Sequence, residues 1–222
     1  MKQEFPILWS FRRCPYAMRA RLALKSAGIT VTLREILLRD KPDAFLASSK
    51  SATVPVLELK DGRVIDESLD IMLWALQEAG DPESWLSGWY ERNLETQAFL
   101  DKLDGDFKTD LDRYKYANRY AVDTQTAAEL SNAHRTSGCK FLNRIDVRLS
   151  QEPFLNGHLA GLEDYATLPF VRQFRIVDIK WFDNQNWPFL QKWLQTFLHS
   201  QGFEDVMPKY KPWAPGDTPI IF

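Results

Sequence analysis

FPILWSFRRCPYAMRARLALKSAG, residues 5–28, is the stretch that decides the fold. Phe5 to Phe11 is an apolar run that predicts a buried strand, and Arg12 and Arg13 end it with charge. From Pro15 the period changes. Ala20, Ala23, Leu24 and Ala27 fall at i, i+3, i+4 and i+7, which is one face of a helix. Pro15 suits the first helical position, where its missing N–H would have had no partner, and Gly28 marks the stop. Cys14 stands between the strand and the helix. Unpaired N–H groups and the helix dipole favour an anion there, so the placement predicts a cysteine with a stabilised thiolate. Arg12, Arg13 and Arg19 are nearby sources of positive potential. A buried, inert cysteine would fit the same position, and the surrounding sequence has to decide between the two.

Working outward, Thr30 to Leu37 alternates and reads as a second strand, and Lys41 to Ala47 as a short helix. Val54 to Leu59 and Arg63 to Ile65 flank Asp61-Gly62, a pair suited to a tight hairpin turn. Leu69, Met72, Leu73 and Leu76 mark another amphipathic helix, closed by Gly80. The order β-α-β-α-β-β-α is a thioredoxin-like arrangement. Beyond Asp81-Pro82 the strand signals stop, and long helical stretches follow: Glu83 to Tyr116, Asp123 to Leu149, Leu162 to Lys180 and Trp187 to Ser200. Phe203 to Phe222 holds four of the twelve prolines and reads as an irregular surface tail. The expected organisation is an α/β thioredoxin-like N-terminal domain, residues 1–80, followed by an all-α C-terminal helical domain with that tail, residues 84–222.

The composition narrows the function. Of 222 residues, 45% are hydrophobic and 26% charged, an ordinary balance for a globular chain with a core. A net charge of −2 gives no electrostatic case for a nucleic-acid or anionic-membrane partner. Two cysteines, Cys14 and Cys139, are too few for a disulfide scaffold, and neither has the spacing of a metal site. Residues 1–9 do not read as a signal peptide, and no apolar run reaches the ~18–20 residues that span a bilayer. The expected compartment is the reducing cytoplasm, where a free thiol is available for chemistry.

Arg13-Cys14-Pro15-Tyr16-Ala17 followed by a helix resembles the active-site turn of glutaredoxins and of cysteine-type, omega-like glutathione transferases. Ala17 stands where a glutaredoxin CxxC would carry its second cysteine. Thr53-Val54-Pro55-Val56-Leu57 resembles the loop whose proline is cis throughout the thioredoxin-like superfamily, and Glu67-Ser68 before a helix matches the family's glutathione-binding pair. Lys41-Pro42 resembles the Lys-Pro of omega-like enzymes. In the second half, Gly161-Leu162-Glu163-Asp164 sits where the family has a Ser/Thr-x-x-Asp capping box, with Gly161 in place of the hydroxyl residue. The resemblance covers nearly the whole chain and implies the glutathione transferase fold.

The resemblance also implies roles. Ser68 would receive the γ-glutamyl carboxylate of glutathione at a helix start, and Glu67 its ammonium. The Val54 backbone, held by Pro55, would pair with the cysteinyl part. Lys41 would neutralise the glycyl carboxylate, or else be a solvated loop lysine. Cys14 is the expected nucleophile of a monothiol thioltransferase or deglutathionylase, with glutathione as co-substrate, no metal, and dehydroascorbate as a further acceptor. Tyr16, Tyr114 and Trp181 are candidate walls of a hydrophobic substrate pocket between the domains. The family implies a homodimer. Cys139, His134, His158 and His199 are expected to be structural. Three rivals remain: a transferase that conjugates glutathione to electrophiles, a non-catalytic interaction protein on this scaffold, and a dithiol glutaredoxin with a helical domain, which Ala17 opposes.

Overall fold

The computed structural model describes residues 4–122 and 126–222. The predicted helix start at Asp123 therefore lies outside the described residues. The chain divides into two units, one of residues 1–86 with 199–222 and one of residues 87–198.

The first unit begins with β1 (Ile7–Ser10), α1 (Pro15–Ser26), β2 (Thr32–Glu35), α2 (Asp43–Ser48), β3 (Val56–Glu58), β4 (Val64–Ile65) and α3 (Ser68–Glu78), in the predicted order. β1 runs parallel to β2, with Ser10 opposite Glu35, and antiparallel to β3, with Leu8 opposite Leu57. β3 and β4 form the predicted hairpin, turning through Gly62 at φ 88°. Every residue of β1 is buried, so the strand is covered on both faces. Its Ile7 and Trp9 share an apolar cluster with Val56, Val54, Ala17 of α1 and Phe45 of α2. Each such side chain contributes about 1.5–3 kcal/mol on full burial, which is why strands this short suffice. α1 and α3 pack on one another.

The second unit is helical: α4 (Ser87–Lys102), a π turn (Leu103–Phe107), α5 (Lys108–Lys115), α6 (Ala127–Leu149), α7 (Leu162–Arg175), α8 (Ile179–Asp183) and α9 (Pro188–Leu198). α6 starts on a capping box, with Thr126 Oγ1 accepting from Glu129 N at 3.2 Å and Glu129 Oε2 from Thr126 N at 2.9 Å. The single helix expected over 162–180 is two. Asp178 caps a new start, its Oδ1 accepting from Trp181 N at 3.0 Å.

Within this unit Asp164, near the start of α7, is fully buried and accepts four hydrogen bonds. Oδ1 takes Leu155 N and Trp193 Nε1, both at 2.8 Å; Oδ2 takes Asn156 N at 2.9 Å and Gly161 N at 3.1 Å. Burial pushes the Asp164 carboxyl up to about 6, against the pull of these four donors. Gly161 is more than a tolerated cap. A Cβ there would stand 2.5 Å from the Asn156 side chain, and one on Gly88 would stand 1.9 Å from Asn156 Oδ1. The two glycines make room for that amide.

The tail corrects the expected domain division. Residues 199–222 belong to the N-terminal unit rather than the helical one, and they are not wholly irregular. α10 (Gln201–Val206), capped by Ser200, packs on α1. β5 (Ile220–Ile221) then pairs antiparallel with β2, giving a five-stranded sheet of order β4-β3-β1-β2-β5. The reason is the open edge of β2, and Val31, the residue before that strand, exchanges two hydrogen bonds of 2.9 Å with Phe222. Between α10 and β5, Trp213 closes over Arg34, whose guanidinium lies 4.4 Å from its ring and 4.7 Å from that of Trp9.

Candidate functional site

The Phe11–Cys14 turn places the candidate nucleophile. Cys14 N donates to Phe11 O at 2.9 Å, and Cys14 O accepts from Met18 N at 3.0 Å, so the residue closes the turn and opens α1. It is the N-cap, with φ −77° and ψ 124°, and Pro15 is the first helical residue, as predicted. The thiol is half-buried against the cluster of Trp9, Val54 and Phe45, with Sγ 3.6 Å from Val54 O. The Val54–Pro55 bond is cis. Cys14 and the Val54–Pro55 loop, 40 residues apart in sequence, thus meet at one point.

Ser68, buried, opens α3, and Glu67, exposed, is its N-cap residue. Arg19 of α1 reaches the Ser68 hydroxyl, Nη1 to Oγ 3.4 Å, and its guanidinium lies 5.4 Å from the Tyr16 ring. The starts of α1 and α3, the two helix N-termini of the expected site, are therefore linked by a side chain. Lys41 donates from Nζ to Ala52 O at 2.9 Å. It braces the loop before Val54, a use of this lysine that its sequence context did not suggest. Ala52 has φ 50° in that loop.

Several residues here were not singled out from sequence. Asp66 accepts from Ser49 Oγ at 2.7 Å and Ser51 Oγ at 2.9 Å, tying the loop before Val54 to the residue preceding Glu67-Ser68. Its place beside that pair is the signal that would have found it. Glu35 and Arg21 form a buried ion pair behind the Cys14 turn. Burial lowers the Arg21 pKa, and Glu35 opposes that shift. A charged residue at i+4 from buried Ala17 was the available signal.

The three pocket candidates belong to two different units. Tyr16 lies in the N-terminal unit. Tyr114 and Trp181 lie in the helical unit, gathered around Arg135, whose guanidinium is 6.0 Å from the Tyr114 ring and 4.5 Å from that of Trp181. Tyr114 also packs on Phe174 at 4.8 Å and is 5% exposed, which makes it core. Cys139 follows Arg135 by one turn of α6, half-buried, and burial pushes its thiol pKa up. His134 Nδ1 pairs with Asp110 Oδ1 at 2.7 Å. Among the described residues no group of three or more His, Cys, Asp or Glu side chains is placed to hold a metal, and no helix is long and apolar enough to cross a membrane.

A thioredoxin-like domain with a cysteine capping its first helix, joined to a helical unit, defines the class of glutathione transferase-fold proteins. Residues 8–83 match the family model for the glutathione S-transferase N-terminal domain. Glutathione S-transferase omega-1 of Sus scrofa is 41% identical over 61 residues, covering 28% of this chain and only a quarter (25%) of the relative's length. Glutaredoxin 2 of Escherichia coli (strain K12) is 25% identical over 197 residues, covering 82% of this chain and 88% of that one. The solved Tau class glutathione S-transferase of mango, Mangifera indica, superposes with a TM-score of 0.76 at 27% identity, over 93% of this chain and 94% of that one. Residues 8–83 thus carry a glutathione S-transferase N-terminal domain, and the chain as a whole has the glutathione transferase fold.

Proposed function

We propose that the chain is a glutathione-dependent thioltransferase in which Cys14 is a monothiol nucleophile. The observation that carries this reading is the half-buried Cys14 sulfur at the start of α1, 3.6 Å from Val54 O beside the cis Val54–Pro55 bond. A sulfur anion is favoured at the positive end of a helix. The cysteinyl part of glutathione can pair with the Val54 backbone there, which sets its sulfur beside Cys14. Ser68 and Glu67 at the start of α3 receive the γ-glutamyl end, as helix N-termini receive anions. The similarity to proteins named glutathione S-transferase omega-1 and glutaredoxin 2 supports a glutathione-dependent reading.

The cycle balances without a metal. The Cys14 thiolate attacks the glutathionyl sulfur of a mixed disulfide, forming Cys14–S–S–glutathione and releasing the other partner as a thiolate. Ala17 stands where a resolving cysteine would be, so a second glutathione thiolate attacks the glutathionyl sulfur of the adduct. Oxidised glutathione leaves and Cys14 returns as a thiolate. Small glutathionylated or hydrophobic molecules are the substrate class, with dehydroascorbate as a further acceptor. We also take the chain to be a cytoplasmic homodimer, a state that sedimentation equilibrium tests.

The decisive experiment compares wild type with Cys14→Ala in glutathione-dependent reduction of a glutathionylated small disulfide. Intact mass is recorded after exposure to oxidised glutathione. Turnover confined to wild type, with one glutathione adduct on wild type only, is the expected result. Equal turnover in both proteins refutes the thiol mechanism; conjugation of chlorodinitrobenzene that survives the substitution then assigns a conjugating transferase.

A further inference from the structure

We propose that Glu35 is a positioning residue for Cys14: it holds the turn that carries the thiol by the peptide N–H of Arg12, and Arg21 in turn holds Glu35. This rests on the reading of Cys14 as the reactive thiol.

The Phe11–Cys14 turn belongs to no regular element. It leaves β1 at Ser10 and enters α1 at Pro15, with Arg12 and Arg13 as its two central residues. Its own hydrogen bond, Cys14 N to Phe11 O, sets its shape but not its place relative to the sheet. Arg12 N donates to Glu35 Oε1 at 2.6 Å. Glu35, 6% exposed, ends β2 directly opposite Ser10 of β1, so the carboxylate reaches the turn from the neighbouring strand. A peptide N–H held by an ionised carboxylate is about twice as strong a bond as one held by a neutral acceptor.

The carboxylate is itself fixed. Its second oxygen accepts from Arg21 Nη2. Arg21, 1% exposed, also donates from Nε to Ser10 Oγ at 2.9 Å and from Nη1 to Val206 O at 3.2 Å. One guanidinium therefore ties together the end of β1, the end of β2 and the end of α10. The tail adds a further bond, Trp213 N to Glu35 O at 2.7 Å. Replacing a buried ion pair by apolar packing often leaves stability unchanged or raised, so stability alone is a weak reason for this one. What it supplies is a fixed reference for the Arg12 peptide and, two residues on, for the sulfur facing Val54 O.

The test separates the N–H from the side chain. Arg12→Ala and Arg12→Pro both lose the guanidinium, but only proline loses the N–H that Glu35 holds. Proline is well suited to the second position of such a turn. In a Cys139→Ala background, the rate of Cys14 alkylation by iodoacetamide is measured at fixed pH, with kcat and KM for glutathionyl disulfide reduction. Since a displacement of about 1 Å costs up to about a hundredfold in rate, Arg12→Pro is expected to fall about tenfold or more below Arg12→Ala in alkylation and in kcat, with KM little changed. Glu35→Gln keeps a carbonyl oxygen for Arg12 N–H and loses the ion pair. It is expected to melt lower than wild type yet recover most of the alkylation rate that Glu35→Ala loses.

Equal alkylation of Arg12→Pro and Arg12→Ala overturns the proposal, whether or not Glu35→Ala folds. So does a loss in Glu35→Gln as large as that in Arg12→Pro. Alkylation needs no glutathione. Rates that separate as expected in a protein that never turns over glutathionyl disulfides would sink the thioltransferase reading and leave the positioning role standing.

Discussion

Substituting Asp164 should be the most damaging single change in the helical unit. Its two oxygens satisfy three peptide N–H groups and the Trp193 indole at 2.8–3.1 Å, with no exposed surface. Asp164→Ala strands four buried donors at about 1–3 kcal/mol each, or on the order of 4 kcal/mol even at the low end. That is a large share of the ~5–15 kcal/mol by which a domain is stable. At about 2–4 °C per kcal/mol for a chain of this size, the melting temperature should fall by roughly 8–16 °C or more. Asp164→Asn keeps one acceptor oxygen and turns an NH2 toward the other two donors, so about half the loss is expected.

The pH arm of this prediction has a definite sign. The folded pKa of Asp164, about 6, lies above its unfolded value of 3.8. The associated stability is therefore fully present below pH 3.8 and is lost as pH rises through about 6. The difference of about 2 units corresponds to about 3 kcal/mol. Asp164→Asn lacks this group, so the stability gap between wild type and Asn should widen as pH is lowered from 7 to 4. Thermal melts read the first effect, and urea unfolding at several pH values, followed by tryptophan fluorescence, reads the second. A melting temperature within about 2 °C of wild type for Asp164→Ala would refute the reasoning, because four orphaned buried donors cannot be that cheap.

Other perturbations test other parts of the structure. Gly161→Ser restores the hydroxyl of the family's capping box but puts a Cβ 2.5 Å from the Asn156 side chain, so it should cost about 1–3 kcal/mol by overpacking, where a simple capping argument forecasts a gain. A thermal melt decides between them. Cys139, whose thiol pKa is raised by burial, should be alkylated much more slowly at pH 7 than Cys14, and peptide mapping after a brief iodoacetamide pulse checks the order. Asp66→Ala frees the Ser49 and Ser51 hydroxyls and loosens the loop before Val54, so KM for glutathione should rise about fivefold, the equivalent of about 1 kcal/mol, with kcat nearly unchanged. Trp213→Ala uncovers Arg34 and frees the tail between α10 and β5; it should lower stability by about 2 kcal/mol, as partial loss of a buried aromatic does.

What the sequence determined by itself was local. The strand, turn and helix around Cys14 could be read because Pro15, Gly28 and the apolar period each act within a few residues, and the hairpin at Asp61-Gly62 for the same reason. The element order of the N-terminal half followed, while the assignment of Cys14 and the Val54–Pro55 loop to one site came from the family resemblance. The tertiary structure decided whatever depends on a distant partner. The N-terminus of α9 is capped by Asp146 of α6, whose Oδ1 accepts from Phe189 N at 3.0 Å and Leu190 N at 2.8 Å, more than 40 residues away. Nothing in the prolines of residues 203–222 announces that β5 will pair with β2, because a two-residue strand has no period of its own and forms only on an open sheet edge. Glu35, Arg21 and Arg12 are ordinary charges in the sequence. They become one device only when parallel pairing of β1 with β2 sets Glu35 beside Ser10, and burial then obliges the charges to find each other.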